Sequence, residues 1–217
     1  MKTCYIFGGG TAPAAVCDIR EEDLVIAADA GLTLCRNFGI TPDVILGDFD
    51  SLGQIPCTEN VIRYPVEKDD TDMAIAVNFG RERGFSRFVL YGGSGGRMDH
   101  TMANWQLLSG LASRGMQGFL CGDGFCATVL CQGTLVFPEK CDGILSCFAF
   151  DGPCEGVTIQ GLQYPLTDAK LMPDRPLGVS NHFVGKAASV TVHAGRMLVM
   201  WEGEDLFPQL QKDCANA

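Results

Sequence analysis

Two aspartates one residue apart close an apolar run, Val44-Ile45-Leu46-Gly47-Asp48-Phe49-Asp50-Ser51. The run reads as a short buried strand, and Gly47 permits a turn or a close backbone approach at its end. Side chains alternate along an extended chain, which sets Asp48 and Asp50 on one side. Carboxylates held together repel, and a cation between them relieves the repulsion. Mg2+ is the hard ion that usually serves oxygen ligands beside phosphates. An Asp-rich turn that only caps backbone groups shows the same two letters, so the other stretches must decide whether a phosphate site is present.

A second acidic group, Glu67-Lys68-Asp69-Asp70-Thr71-Asp72, precedes apolar residues at helical spacing, Met73 and Val77. Acidic residues suit a helix start on dipole grounds alone. Asp69, Asp70 and Asp72 together exceed what one cap requires, and Lys68 can neutralise one of them or reach a phosphate. The third group is Gly92-Gly93-Ser94-Gly95-Gly96-Arg97-Met98-Asp99-His100. Glycines around Ser94 permit a nest of backbone N–H groups that holds anions. The following helix start adds partial positive charge, and Arg97 offers a planar fork to phosphate oxygens. Asp99 fits the first helical turn, and His100 reads as structural. The loop lacks the GK[ST] of a Walker A motif, and Gly8-Gly9-Gly10 is not GxGxxG.

The elements that position these groups alternate. Tyr5 to Phe7 is a first strand ending at Gly8, and Thr11-Ala12-Pro13 allows a helix to start. Leu24 to Ala28 is a second strand ending at Asp29, followed by a short helix from Leu32 to Phe38. The Val44 strand is third and Val61 to Tyr64 the fourth. A helix runs from Met73, and Arg87 to Tyr91 is the fifth strand. The next helix sets Met98, Met102, Trp105, Leu108 and Leu111 (or Ala112) on one apolar face, and Gln117 to Cys121 is a sixth strand. Ligands of open α/β sheets bind at the carboxyl ends of the strands. Asp29 is therefore expected near Asp48, with a helix-capping role equally open to it.

The texture changes at Gly122-Asp123-Gly124. Short apolar or alternating strands follow at Ala127–Leu130, Thr134–Phe137, Ile144–Phe150, Val157–Ile159, Ala188–His193 and Met197–Trp201, with helix expected only in the short tail. That is the pattern of a small all-β sandwich. The expected architecture is thus an N-terminal domain, residues 1–123, built on an open, mostly parallel α/β sheet, then a β-sandwich domain, residues 124–217. Within the latter, Leu177 to Phe183 reads as a turn carrying Ser180 and Asn181, and Trp201 reads as core.

Composition bounds the partners. Of 217 residues 47% are hydrophobic, enough for a packed core. Lys+Arg 16 against Asp+Glu 26 leaves a net charge of −10, which disfavours non-specific binding to nucleic acid or to an anionic membrane. The apolar piece after Lys2 is too short for a secretory signal, and no run is long enough to span a bilayer. A soluble cytoplasmic protein is expected. The eleven cysteines include no CxxC pair, so they read as small core thiols rather than a metal site.

Taken in order, Gly47-Asp48-Phe49-Asp50-Ser51, Glu67 to Asp72, Gly95-Gly96-Arg97-Met98-Asp99-His100 with Asn104, and Val179-Ser180-Asn181 resemble the motifs of the thiamine pyrophosphokinase family. The resemblance spans residues from about 1 to 205, nearly the whole chain. It implies an α/β domain followed by a β-sandwich, and a homodimer whose active site is shared between subunits. It also implies transfer of the pyrophosphoryl group of ATP to the hydroxyl of thiamine, giving thiamine diphosphate and AMP. On this resemblance Asp48, Asp50 and Asp72 are catalytic and hold Mg2+. Asp29, Lys68, Gly93, Ser94, Gly95, Gly96, Arg97 and Asp99 meet ATP, and Asp72, Ser180, Asn181 and Trp201 meet thiamine. Ala30 stands where a glycine is common in the family, and Lys68 where some members carry glutamine. Two rival readings are a HAD-like phosphatase with Asp48 as nucleophile and a non-catalytic nucleotide or thiamine sensor.

Overall fold

The computed structural model describes residues 1–49, 60–203 and 207–212. The chain forms two compact units, residues 1–107 with 116–123 and residues 108–115 with 124–217. The first contains β1 (Cys4–Phe7), β2 (Leu24–Ala28), α1 (Gly31–Asn37), β3 (Val44–Gly47), β4 (Val61–Arg63), α2 (Asp72–Glu82), β5 (Arg87–Tyr91) and β6 (Gln117–Cys121). The helix α3 (Met98–Ala112) begins in it, and its last turn falls in the second unit.

The strands of the first unit are all parallel, in the order β6-β5-β1-β2-β3-β4. Parallel sheets are covered on both faces and read as continuous apolar runs. Accordingly Cys4, Ile6, Phe7, Ile26, Ala27, Leu46, Leu90 and Tyr91 are all buried. The chain builds outward from β1 to β4, then returns to place β5 on the other side of β1. The order reverses between β1 and β5, and a reversal of this kind opens a crevice beyond the carboxyl ends of the two strands. The glycine runs that follow β1 and β5 therefore meet. Gly8 N donates to Tyr91 O at 2.8 Å, Gly10 N to Gly92 O at 2.8 Å, and Thr11 N to Ser94 O at 2.7 Å.

That pairing explains why no helix starts at Thr11-Ala12-Pro13, contrary to expectation. The backbone of Gly10 and Thr11 is committed to the Gly92–Ser94 segment, and the connection to β2 is instead tied down where Cys17 N donates to Tyr91 Oη. The apolar face expected on α3 is also corrected. Met98 and Met102 are exposed, whereas Thr101, Asn104, Leu108 and Leu111 are buried. The first turns of α3 turn polar side chains toward the glycine loop, so hydrophobic spacing misplaces the buried face there.

In the second unit the strands are antiparallel. One set runs β12 (Gly178–His182), β9 (Ile144–Ala149), β14 (Met197–Glu202) and β7 (Phe125–Leu130). The other runs β11 (Leu166–Leu171), β10 (Cys154–Gln160), β13 (Ala188–Val192), β8 (Gly133–Phe137) and β15 (Gln209–Gln211). Alternate residues of β8 and β13 are buried, and Phe137 of the second set meets Trp201 of the first edge-on at 5.4 Å. Three strands were not legible. β12 was expected as a turn, but its backbone pairs with β9 through a bulge at which Ser180 takes φ +59°. β15 replaces the helix expected in the tail, because residues 209–211 extend along β8. β11 carries Thr167, Asp168 and Lys170 and has little apolar alternation to show.

Buried thiols behave as core residues: burial pushes Cys35 and Cys147 up to about 12, leaving them inert at neutral pH. Among the described residues no helix is long and apolar enough to cross a membrane.

Gly31 shows how tightly α1 meets β1. A methyl group there would run into the carbonyl of Phe7. Gly31→Ala is expected to lower the free energy of unfolding by about 1–3 kcal/mol, read by urea denaturation. An unchanged midpoint would contradict this close approach.

Candidate active site

Three strand or helix ends deliver carboxylates to one place. Asp29 follows β2 directly. Its N–H donates to Leu46 O at 2.8 Å, and its backbone takes φ +46°, a conformation that a non-glycine residue keeps only when its surroundings hold it there. Gly47 makes this possible, since a Cβ at that position would stand 3.1 Å from the Cα and Cβ of Asp29. Asp48 follows β3. Asp72 is the first residue of α2, whose N-cap is Thr71; the Thr71 hydroxyl accepts a hydrogen bond from Ala74 N. The cap is thus filled without any of the acidic residues, while Asp69 and Asp70 are exposed. One oxygen from each of Asp29, Asp48 and Asp72 lies within 4.8 Å of the others.

Asp50 lies outside the described residues. The alternation that was to put it beside Asp48 does not hold at Phe49, which is buried with φ +63° and is not extended.

Lys68 stands among the carboxylates, with Nζ 2.6 Å from Asp48 Oδ2 and 2.9 Å from Asp72 Oδ1. Its side chain is only 13% exposed, so the pairs are weakly screened. Burial works against the ammonium, but the hydrogen bonds and charges of Asp72 and Asp48 prevail and raise its pKa above the ordinary lysine value. Asp72 is also raised. Burial is the largest cause, and the Asp48 and Asp29 charges add to it, while Lys68 opposes. The two shifts agree physically, because one ammonium cannot neutralise three carboxylates. Asp29 Oδ1 remains buried with no hydrogen-bond partner. A buried, unpartnered carboxylate oxygen beside two further carboxylates is a donor set that fits a hard divalent cation.

Asp29 and Asp72 also line a cavity of about 420 Å3 whose wall is made by Gly8–Gly10 and the loop after β5. Glycine is required here. A Cβ on Gly10 would collide with the carbonyls of Ser94 and Gly92, and Gly92, Gly95 and Gly96 have φ between +64° and +78°. The loop is held from behind by Asn104, whose Nδ2 donates to Gly93 O at 2.6 Å, and Ser94 is buried against Thr11. Arg97 and Asp99 pair with each other, the guanidinium bonding both carboxylate oxygens at 2.6 and 3.2 Å. Both are well exposed. Hydrogen bonding to Arg97 holds the Asp99 carboxyl below the usual range. Sequence reasoning undervalued Gly8, Gly10 and Asn104. The available signal was two glycine runs that each end a strand, but only the strand order makes those strands neighbours.

The other expected contacts lie in the second unit. Ser180 is exposed, with its N–H donating to Ser146 Oγ. Asn181 is buried and spends its amide on the chain itself. Its Oδ1 accepts from Tyr164 N at 2.9 Å, and its Nδ2 donates to Tyr164 O at 2.7 Å. Trp201 is 1% exposed. A ring enclosed in this way has no face to offer a ligand, so the structure replaces the expected aromatic contact with core packing.

Comparison with known proteins bears on both parts of the chain. The family model "Thiamin pyrophosphokinase, catalytic domain" matches residues 18–120, and "Thiamin pyrophosphokinase, vitamin B1 binding domain" matches residues 134–197. The chain is 25% identical over 215 residues to thiamine pyrophosphokinase of Bacillus subtilis (strain 168), covering 92% of this chain and 98% of that one. In fold it is similar to the crystal structure of the Bacillus subtilis protein, with TM-score 0.79, 23% identity, and 93% and 99% of the two chains covered. The Geobacillus thermodenitrificans structure gives TM-score 0.77 at 24% identity, with 93% and 98% covered. The thiamin pyrophosphokinase of Candida albicans gives 0.73 at 14% identity, with 92% and 89% covered.

The Asn104 contact is testable by itself. Asn104→Ala leaves the Gly93 carbonyl without this donor in a buried place, and is expected to cost about 1–3 kcal/mol of stability. Equilibrium unfolding measures it, and a loss near zero would contradict the assigned role.

Proposed function

The chain belongs to the thiamin pyrophosphokinase family, and on that premise we propose how its site transfers the pyrophosphoryl group of ATP to the hydroxyl of thiamine. The bond formed joins the thiamine hydroxyl oxygen to the β-phosphorus, and the hydroxyl proton is lost to solvent. The bond broken links that phosphorus to the oxygen of the α-phosphate, and AMP leaves. The observation that carries the reading is the convergence of Asp29, Asp48 and Asp72 at one edge of a glycine-walled cavity. Transfer of this kind needs charge neutralisation and in-line positioning more than covalent chemistry from the protein.

Gly8–Gly10 and the Gly92–Gly96 loop let the nucleotide approach the backbone closely, with the start of α3 contributing partial positive charge. Asp48 and Asp72, with Asp29 beside them and, on the family resemblance, Asp50 two residues after Asp48, would hold Mg2+, which supplies charge neutralisation on the phosphates when bound. Arg97 lies in the cavity wall and exchanges its Asp99 partner for phosphate oxygens. Thiamine contacts are assigned to the β unit around Ser180 and Asn181, which lie within the stretch matched by the vitamin B1 binding domain of the family. Asn181 supports this region by fixing Tyr164, whose ring is exposed. A homodimer in the cytoplasm, with the site shared between subunits, completes the proposal. Exposed Leu177 and Val179 beside Ser180 support an interface there.

The phosphatase reading with Asp48 as nucleophile is disfavoured, since the chain matches both the catalytic and the vitamin B1 binding domain of the family. A sensor would bind ATP without releasing AMP when thiamine is supplied, and the match to both family domains favours the transferase.

Incubation with ATP, Mg2+ and thiamine is expected to yield AMP and thiamine diphosphate, identified by chromatography. ADP with thiamine monophosphate, or free phosphate alone, would contradict the reading. Asp48→Asn and Asp72→Asn should each lower turnover by more than roughly 10²-fold, beyond what outer-shell changes around a metal usually cost. Near-normal rates in folded variants would remove these residues from the mechanism.

A further inference from the structure

The acidic cluster already contains a cation. Lys68 Nζ contacts Asp48 and Asp72 at 2.6 and 2.9 Å, and the nearest oxygens of Asp29, Asp48 and Asp72 are no more than 4.8 Å apart. A divalent ion ligated by these oxygens must approach each to about 2.1 Å. Such an ion would compete with the ammonium for the carboxylates of Asp48 and Asp72, which Lys68 now holds. Two cations there would face each other across a distance at which like charges repel strongly in a poorly solvated place.

One side of the arrangement is fixed and the other is free to move. Asp29 follows β2 with its backbone bound to β3, and Asp72 is built into the capped first turn of α2. Lys68 lies in the segment between β4 and α2, outside any helix or strand, on a flexible four-carbon stem. The ammonium can withdraw along its long side chain, whereas the short aspartate side chains stay close to the strand and helix ends that carry them.

We propose that Lys68 is a tethered stand-in for the divalent ion, holding the carboxylates together in the metal-free protein and leaving the cluster when the ion enters. The proposal rests on the reading that these carboxylates take the metal. It makes Lys68 a positioning residue: it holds Asp48 and Asp72 together beside Asp29 and yields its place on loading. Released beside the cavity, its charge then has the nucleotide phosphates as the available partner, which couples loading of ion and nucleotide.

The test uses the intact protein and Mn2+ alone, with the free ion followed by electron paramagnetic resonance. A lysine-selective acylating reagent is applied across the titration, and modification of the Lys68 peptide is read by mass spectrometry. Exposed Lys140 serves as the internal control. Acylation of Lys68 is expected to rise at least about fivefold, since an amine only 13% exposed between two carboxylates becomes open to the reagent once it withdraws from them. The rise should have its midpoint at the concentration where Mn2+ binds, with Lys140 unchanged. If Mn2+ binds and Lys68 stays as slow as before, the exchange is overturned while the metal reading stands. If Mn2+ does not bind, both are overturned.

Discussion

Mutual repulsion among Asp29, Asp48 and Asp72 is the constraint on which the site turns. Like charges this close, two of them desolvated enough to leave a buried oxygen unpartnered or a carboxyl raised, persist only where the fold compels them and a cation compensates. The fold compels them through the parallel sheet. β2 and β3 are neighbours that end together, so the residues following them converge. Gly47 removes the one side chain that would push Asp29 away, and α2 starts where its first carboxylate can join. Lys68 supplies partial compensation. The residual negative charge is a standing attraction for a divalent ion.

The same sheet explains why phosphate-binding backbone lies next to these carboxylates. The strand order reverses between β1 and β5, and both strands run out into glycines. Side chains at Gly8, Gly10 or Gly92 would close the gap between the two runs. The glycines therefore do more than allow turns: they let two backbone segments pair and still leave a cavity in front. Asn104 reaches from α3 to hold the loop from behind, which is why the helix buries Asn104 and Thr101 there and exposes Met98 and Met102.

Much of this was legible in the residues. Apolar runs ending in Gly8, Asp29 and Asp48 announced strands with chemistry at their carboxyl ends, and the change of texture at Gly122 announced a β-rich part. What escaped was set by long-range pairing. Nothing local says that Gly10 pairs with Gly92 rather than entering a helix, or that β12, with Ser180 and Asn181 in it, bonds to β9 instead of turning. Alternation fails at Phe49 because one residue with positive φ breaks the period-two pattern of an extended strand. Trp201 read correctly as core from its strand position, whereas the family resemblance pointed it at a ligand; its enclosure by Phe137 and the strands around it decides for packing. Lys68 beside three aspartates suggested one ion pair or a phosphate contact, and only the fold shows that it bridges the carboxylates of Asp48 and Asp72.

The central claim is that these strand ends form a cation site. The most direct measurement is an anomalous difference map from a crystal of the protein grown with Mn2+ and ATP. The account predicts a peak bounded by the carboxylates of Asp29, Asp48 and Asp72, with ligand distances of about 2.1 Å. A map with bound nucleotide and its only Mn2+ peaks away from these three residues would contradict it.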